Sequence, residues 1–566
     1  MLDRPIPASS PARYNRQRER LRDILVIGAG GAGLRAAIEV KKRGSDVYLL
    51  GKEVLGCAHT GMAMGGMNAA MVAPATGEFH AKITIEGGYN ITNYKLCRIF
   101  GEEMPARIYD LEDYGVIYDR LDNGDFYVWA GPKQKYPLNV CVGDYTGREM
   151  MQGLVDQARK LGIKYTDEFF ISKLLKDKEK VCGAIGINLK TDEFVVFQAK
   201  AVIIATGGAG RMYEVTTNAA SNTGDGYAMA LDAGAKLIDM EMVQFHPTGM
   251  AQTPSSRGVL VTEKTRAHGG ILKNKKGERF MSKYYPKEME LAKRDEVSRA
   301  IYLEVAAGNG VDGNCVYLEV NHWPKEKILE VIPDVYEQYK NVGVDISKEP
   351  MKIYPSMHHM MGGVKIDEWG RSNVAGLFAA GEVAGGIHGA NRLGGNSIAE
   401  GQVFGRRAGI GAISYAKKIR SIHLDKKEIK NEINRISSFL KRKTGIEPQK
   451  IEKALKKTMW NNVGIFKDEK SMLQAKNKVE KLIKDAGKMK TRSMISERNR
   501  DLQDCLEICN MLETAQAVIE AGLIRKESRG AHSRTDYPKM LPEWEKNIAV
   551  SKEKGRLVTS LLEVEK

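Results

Sequence analysis

Six residues near the start of the chain, Gly28-Ala29-Gly30-Gly31-Ala32-Gly33, carry the plainest chemistry in its 566 residues. They follow an apolar run, Ile24-Leu25-Val26-Ile27, and precede Leu34, Ala37, Ile38 and Lys41 at helical spacing. A strand that runs through GxGxxG into a helix aims bare backbone N–H groups, and the positive end of the helix dipole, at a pyrophosphate. A second apolar run, Val47-Tyr48-Leu49-Leu50, ends in Gly51-Lys52. An NAD enzyme would place an acid there to grip the ribose, so Lys52 argues against NAD. The seven cysteines, at 57, 97, 141, 182, 315, 505 and 509, form no CxxC and no CxxCH. Self-contained zinc ribbons, ferredoxin-type clusters and attached c-type haem are thereby excluded, and a reducing cytoplasm suits the chain better than a disulfide framework. Cys505 and Cys509 share a helical face with Leu502, Leu506 and Leu512, which reads as core packing.

The distribution of glycine and charge shows where such chemistry can be housed. Of 58 glycines, 52 lie before residue 412. Tight turns and close approaches of backbone to ligand therefore belong to that part, and the glycine-poor remainder should be helical. Residues 417–492 hold 23 Lys or Arg against nine Asp or Glu, which is most of the net charge of +16. Ile429, Ile433, Ile436 and Leu440 recur there at helical spacing. A pI near 9.2 permits a nucleic-acid partner. Yet this segment has only Phe439, Trp460 and Phe466 as aromatics, and acids are interleaved throughout. It reads as a solvated helical face suited to an acidic partner or anionic lipid, not to nucleic acid. Six Arg in residues 1–22, against Asp3 and Glu19, read as a mobile arm. That N-terminus has neither an apolar core nor a twin Arg, so no export signal is expected, and no apolar run is long enough to span a membrane. Composition (42% hydrophobic, 28% charged) and length together suggest a soluble globular protein of three or four domains.

Two later segments extend the nucleotide pattern. AVIIATGG at 201–208 is a buried strand running into glycines, and GLFAAGE at 376–382 is another that closes on Gly-Glu. A nucleotide fold assembled from separated segments, with a late strand ending in an acid, resembles the FAD domain of two-dinucleotide-binding flavoproteins. There the late Gly-Glu, here ending in Glu382, lies along the ribityl and phosphate chain. The resemblance implies FAD.

Longer motifs sharpen the likeness. GAGGAGLRAA at 28–37, AHTGMAMGG at 58–66, ATGGAGR at 205–211, QFHPTG at 244–249, RDEVS at 294–298, MGG at 361–363, HGANRLGGNS at 388–397 and RKESRGAH at 525–532 follow one another in the order of a known family. From residue 22 to about 540 the chain resembles the flavoprotein subunits of succinate dehydrogenase and fumarate reductase. The resemblance implies an α/β fold: a two-segment, Rossmann-like FAD-binding domain at 22–240 and 353–412 with a capping domain inserted at 241–352. A basic helical domain at 413–524 and a C-terminal region at 525–566 complete the expected architecture.

It also assigns roles. His59 matches the histidine that this family bonds to the 8α-methyl of FAD, and Met64 stands where the family has an acid or amide before Gly65-Gly66. Further FAD contacts are implied at Lys52, Thr60, Gly65, Gly66, Thr206 and Gly207, and at Asp225, Glu382, Arg392, Ser397 and Ile398. The implied substrate is a four-carbon dicarboxylate, and Arg is the side chain suited to bidentate carboxylate binding. Arg392, in the run Asn391-Arg392-Leu393-Gly394-Gly395, is the best candidate. His246, His358 and Thr262 match the family's other substrate ligands, with Gly66 beside them, and His359 is a weaker choice than its neighbour. The family's proton-transfer arginine is Arg294, fed by Glu263 and Arg266. The residues alone would make RDEVS a helix start, with Asp295 and Glu296 in the first turn.

With no iron–sulfur or haem ligands in this chain, electrons are expected to pass to separate iron–sulfur and membrane-anchoring or other electron-carrying subunits. That makes it a peripheral subunit on the cytoplasmic face of a membrane. An L-aspartate oxidase-like soluble flavoenzyme is the alternative; His59 argues against it, because that enzyme lacks a histidine at the matching position. A flavoprotein binding RNA through its basic helices would leave His246, Thr262, His358 and Arg392 without a role.

Overall fold

Unbroken apolar runs such as Ile24–Ile27 belong to strands covered on both faces, the habit of parallel sheets. In the computed structural model, which describes residues 21–132, 134–492 and 499–566, this run forms β1 (Arg22–Ile27). The arginine-rich arm lies outside the described residues, apart from Arg22. β1 leads through the glycine loop into α1 (Gly31–Lys42) and returns as β2 (Val47–Leu50), parallel to β1. Lys164–Thr166 adds to the far side of β2, and Phe194–Ile204 pairs with the other edge of β1. Leu377–Ala379 closes the parallel array on Val202–Ile204. The register matches Ile27 with Leu50 and Ile204, and Ile204 with Ala379. Four strands therefore end at one level. The segments that follow them, at Gly28, Gly51, Ala205 and Ala380, leave along one edge, where sheets of this kind bind ligands. The first half of Phe194–Ile204 is shared with an antiparallel pair, Lys180–Asn188 and Phe169–Asp177.

A second apolar core, separate from the main one, gathers Met64 with residues between Met250 and Ile353. Its frame is an antiparallel sheet in the order Val243–Met250, Met351–Met360, Val316–Glu319, Ile271–Lys273, accompanied by the helices Glu263–Ala267 and Arg294–Glu304. Every residue of Val243–Met250 is buried, and its ladder with Met351–Met360 is broken between Gln244 and Phe245 and between His246 and Gly249. Such irregularities re-aim side chains and are common beside active sites.

Beyond residue 416 the chain forms the helices Lys426–Lys441, Pro448–Asn462, Glu469–Ala486 and Arg500–Ile524. Among the described residues none is long and apolar enough to cross a membrane. Many of the basic groups pair with acids, as in Lys476–Glu520, Arg500–Asp504 and Arg492–Asp501. Lys467 is an exception: it is buried, and burial pushes its ammonium down to about 7. The glycine-poor remainder is not helical to its end. Lys546–Glu553 and Arg556–Glu563 form a hairpin whose turn residues Lys554 and Gly555 both have positive φ, 48° and 77°. Two such residues give the turn twist that suits a hairpin. The first hairpin strand pairs with Leu237–Ile238, just upstream of the strand that carries His246.

Candidate active site

Backbone packed against backbone builds one end of the site. Gly28 has φ +109°, and a Cβ there would lie 2.2 Å from the Ala205 carbonyl oxygen. A Cβ on Gly33 would lie 1.8 Å from the carbonyl oxygen of Gly28, so only glycine lets α1 start this close to β1. The Gly31 N–H donates to Thr60 Oγ1 at 3.1 Å. A cleft of about 1750 Å³, open solvent at its mouth included, runs from this loop to the second core. Lys52 lines it, donating to Thr223 Oγ1 at 2.6 Å and Asp225 Oδ2 at 2.7 Å, with Glu507 Oε1 at 3.0 Å. Burial would lower the ammonium's pKa, but the two carboxylates outweigh it and raise it.

Midway, His59 begins a short 3-10 turn, His59–Met62. Its Nδ1 accepts the Ala219 N–H at 3.3 Å, which leaves Nε2 as the nitrogen available for other chemistry. Burial, helped by the charge of Arg392, pulls its pKa down to about 4, so the ring is neutral. Glu382, also lining the cleft, accepts the Met360 N–H at 2.9 Å, and burial pushes its carboxyl up to about 7. The hydroxyl of Thr206 and Nε of Arg392 are buried with no protein partner.

The far end is a chain of charged groups. Glu263, at the start of a short helix, takes Arg294 in a fork, with Nε to Oε1 at 3.0 Å and Nη2 to Oε2 at 3.2 Å. From behind, Arg266 Nη2 donates to Glu263 Oε1 at 3.0 Å, and its Nη1 donates to the Glu290 carbonyl at 2.6 Å. Burial alone would raise the Glu263 carboxyl; Arg294 and Arg266 prevail and lower it. Gln244 Oε1 accepts from Arg294 Nη1 at 3.2 Å and from Arg392 Nη2 at 3.1 Å. Its amide nitrogen holds Asn391 Oδ1 and the Arg392 carbonyl, both at 2.8 Å. The rings of His246 and His358 lie 5.0 Å apart. Nδ1 of His246 accepts the Thr248 N–H at 3.3 Å, while the Thr248 hydroxyl donates to the Val261 carbonyl, so the His246 proton sits on Nε2. Burial first, and then the neighbouring positive groups, hold His246, His358 and His359 well below the usual histidine range.

The residues singled out in the sequence converge. Gly28, Ala29, Gly30, Gly31, Ala32, Lys52, His59, Thr60, Gly65 and Gly66 line the cleft, as do Thr206, Gly207, Asp225, Glu382, Ser397 and Ile398. His246, Thr262, Glu263, Arg294, His358 and Arg392 line its far end. Gly33 and Arg266 do not: Gly33 packs behind the loop and Arg266 behind Glu263. His359 reaches the cleft too, with Nδ1 3.5 Å from Glu382 Oε1. Gln244 was missed although it stands two residues before His246 in QFHPTG. Glu507 carried no sequence signal, because it arrives on a helix more than 450 residues after Lys52. Trp129 and Leu260 also line the cleft and were missed. A glycine cradle with N–H groups at a helix start, a long mixed cleft and unpartnered polar atoms along it fit FAD.

Comparison with known proteins agrees. Residues 23–398 match the model described as FAD binding domain, and residues 452–564 match the one described as fumarate reductase flavoprotein C-term. One of the subunits of fumarate reductase (CoM/CoB) from Methanothermobacter marburgensis is 45% identical over 94% of this chain and 97% of its own length. The succinate dehydrogenase flavoprotein subunit of Coxiella burnetii is 37% identical, over 91% and 92%. Among solved structures, a point variant of E. coli quinol fumarate reductase FrdA superposes with TM-score 0.93 at 32% identity, covering 97% of this chain and 98% of that one.

Proposed function

The chain belongs to the succinate dehydrogenase/fumarate reductase flavoprotein family and is an FAD-dependent oxidoreductase, and from that premise we propose that it interconverts succinate and fumarate. One observation carries the reading: Gln244 ties Arg294 to Arg392 at the end of the cleft where two neutral histidines also point. A small dianion is the ligand such a site neutralises. Arg392 binds one carboxylate, and its unpartnered Nε is a donor still to be used. His246 offers Nε2–H, and His358 and the Thr262 hydroxyl complete the grip on the second carboxylate. Bound FAD supplies the hydride donor or acceptor at N5. His59, with Nδ1 already engaged, is the residue to hold it covalently, through Nε2.

In fumarate reduction Arg294 delivers the proton to the carbon next to the one that takes the hydride. An arginine parts with a proton only when it regains one at once. Glu263, ionised and forked onto Arg294, returns it from Arg266 on its other side. Succinate oxidation runs the same relay in reverse. Electrons pass to or from iron–sulfur partner subunits, with the chain peripheral on the cytoplasmic face of a membrane. Purified, flavin-loaded protein should oxidise a reduced viologen only when fumarate is added, and malonate should compete and perturb the flavin spectrum. Protein that shows neither response is not a dicarboxylate enzyme. Isolation of the native complex will identify its electron-carrying subunits.

A further inference from the structure

The motif RKESRGAH at 525–532 lies far along the chain from the site and supplies no residue to the cleft. Its contacts nevertheless reach both segments that carry a substrate-side arginine. Arg294 is the first residue of the helix Arg294–Glu304, and five residues on, Arg299 Nη1 donates to the Gly530 carbonyl at 2.7 Å. On the other side, the Ala531 N–H donates to the Ala390 carbonyl at 2.9 Å, two residues before Arg392. The Gly530 carbonyl and the Ala531 N–H belong to one planar trans peptide and point in opposite directions. A single peptide group thus stands between the Arg294 helix and the Arg392 loop.

The surroundings remove the remaining freedom. Asp295, adjacent to Arg294 and buried, pairs with Arg299 at 3.0 Å and accepts the Tyr89 hydroxyl at 2.8 Å. Arg529 Nη1 in turn donates to the Tyr89 carbonyl at 2.8 Å, closing a ring from the C-terminal loop to the helix and back. These contacts at successive turns fix the rotation of the helix about its axis, which decides where Arg294 points. Ala390 and Ala531 pack together with Ile91, Met242 and Met361 in a small apolar core of their own. A Cβ on Gly530 would lie 2.4 Å from the Ala390 carbonyl oxygen, so the loop leaves no room for a side chain.

We propose that the Gly530–Ala531 peptide, with Arg299, Asp295 and Tyr89, is a positioning device that sets Arg294 and Arg392 at the spacing a dicarboxylate requires. The inference rests on the succinate–fumarate reading above. Its two ends predict different damage. Arg299→Gln releases the Arg294 side, so viologen-linked kcat should fall about 100-fold, the scale of an ångström-sized misplacement, with the malonate Kd within about threefold. Gly530→Ala pushes on the Arg392 side, so the malonate Kd should rise at least about tenfold. Arg299→Lys should restore part of the lost kcat, because an ammonium reaches either Asp295 or the Gly530 carbonyl but does not span both.

Wild-type kcat in Arg299→Gln, or equal losses of kcat and affinity in both variants, would overturn the device. Should Arg299→Gln not fold, Tyr89→Phe removes one hydroxyl. Several-fold lower kcat with unchanged malonate affinity supports the device, and unchanged kcat overturns it. Wild-type protein that neither reduces fumarate nor responds to malonate brings down the underlying reading, and this inference with it. Active wild type with unaffected variants removes this inference alone.

Discussion

Replacing Arg294 by glutamine tests the proton relay most directly, because the structure limits the collateral damage. The substitution removes three hydrogen bonds, two to Glu263 at 3.0 and 3.2 Å and one to Gln244 at 3.2 Å. Glu263 is not left alone, since Arg266 still donates to it at 3.0 Å. Each charge-assisted bond is worth about 1.5–3 kcal/mol, and the glutamine amide can restore one, so the cost in stability is roughly 3–6 kcal/mol. That lies within the margin of an ordinary folded protein. The substrate grip proposed for Arg392, His246 and His358 is untouched, so malonate affinity should stay within about tenfold. Turnover should fall by about 10²–10⁴, or roughly 2.7–5.5 kcal/mol of barrier, the usual worth of a positioned proton donor. The assay is fumarate reduction by a reduced dye, so that partner subunits do not set the rate. Near-normal turnover in this variant would refute the relay and move the proton source to His246 or Arg266.

Arg392→Ala should behave differently, weakening malonate binding by about 30-fold or more together with turnover, because a buried charge–charge contact to substrate costs at least about 2 kcal/mol to truncate; titration of the flavin spectrum reads it. Wild-type protein denatured in SDS should keep flavin fluorescence in the gel band, and His59→Ala should lose it; complete release from the wild type would remove the covalent link. Lys467 gives a pH signature. Its folded pKa of about 7 lies below the usual lysine value of 10.5, so between those limits the unfolded chain holds more protons and stability rises with pH. From pH 7 to 9 the wild type should therefore gain roughly 2–3 kcal/mol over Lys467→Met in denaturant melts. A constant difference between the two would show that Lys467 is not charged at a cost in the fold.

The parallel sheet was legible because its strands are continuous apolar runs bounded by glycines, from Ile24–Ile27 to Leu377–Ala379. The candidate site was legible mainly through motifs. His59, His246, Arg294 and Arg392 carry no periodic signal, and a lone histidine or arginine reads equally well as packing. Gln244 escaped notice because an amide among charged neighbours looks neutral until its oxygen is seen between two guanidinium groups. Glu507 and Gly530 escaped for another reason: their partners lie hundreds of residues away, and single-chain spacing says nothing about such pairs. The C-terminal hairpin was readable in principle, from the alternation in NIAVSKE and RLVTSLLE around Lys554-Gly555, but scarce glycine argued for helix and hid it.

That hairpin has a consequence for how the protein is made. Asn547 and Asp239, joined side chain to side chain at 2.6 Å, are 308 residues apart in the chain, and Leu237–Ile238, flanked on one side by Gly363–Lys365, gains its second strand partner only once Lys546–Glu553 exists. At about 5–20 residues per second a ribosome needs roughly 15–60 s to cover that distance. Throughout that interval the strand leading to His246 has an open edge, although the Gly28 loop was completed long before. The Glu565 carbonyl even accepts the Tyr94 N–H at 2.8 Å, stitching the end of the chain onto its first third. The edge of the sheet leading to His246 is thus covered only after residue 553 has been made.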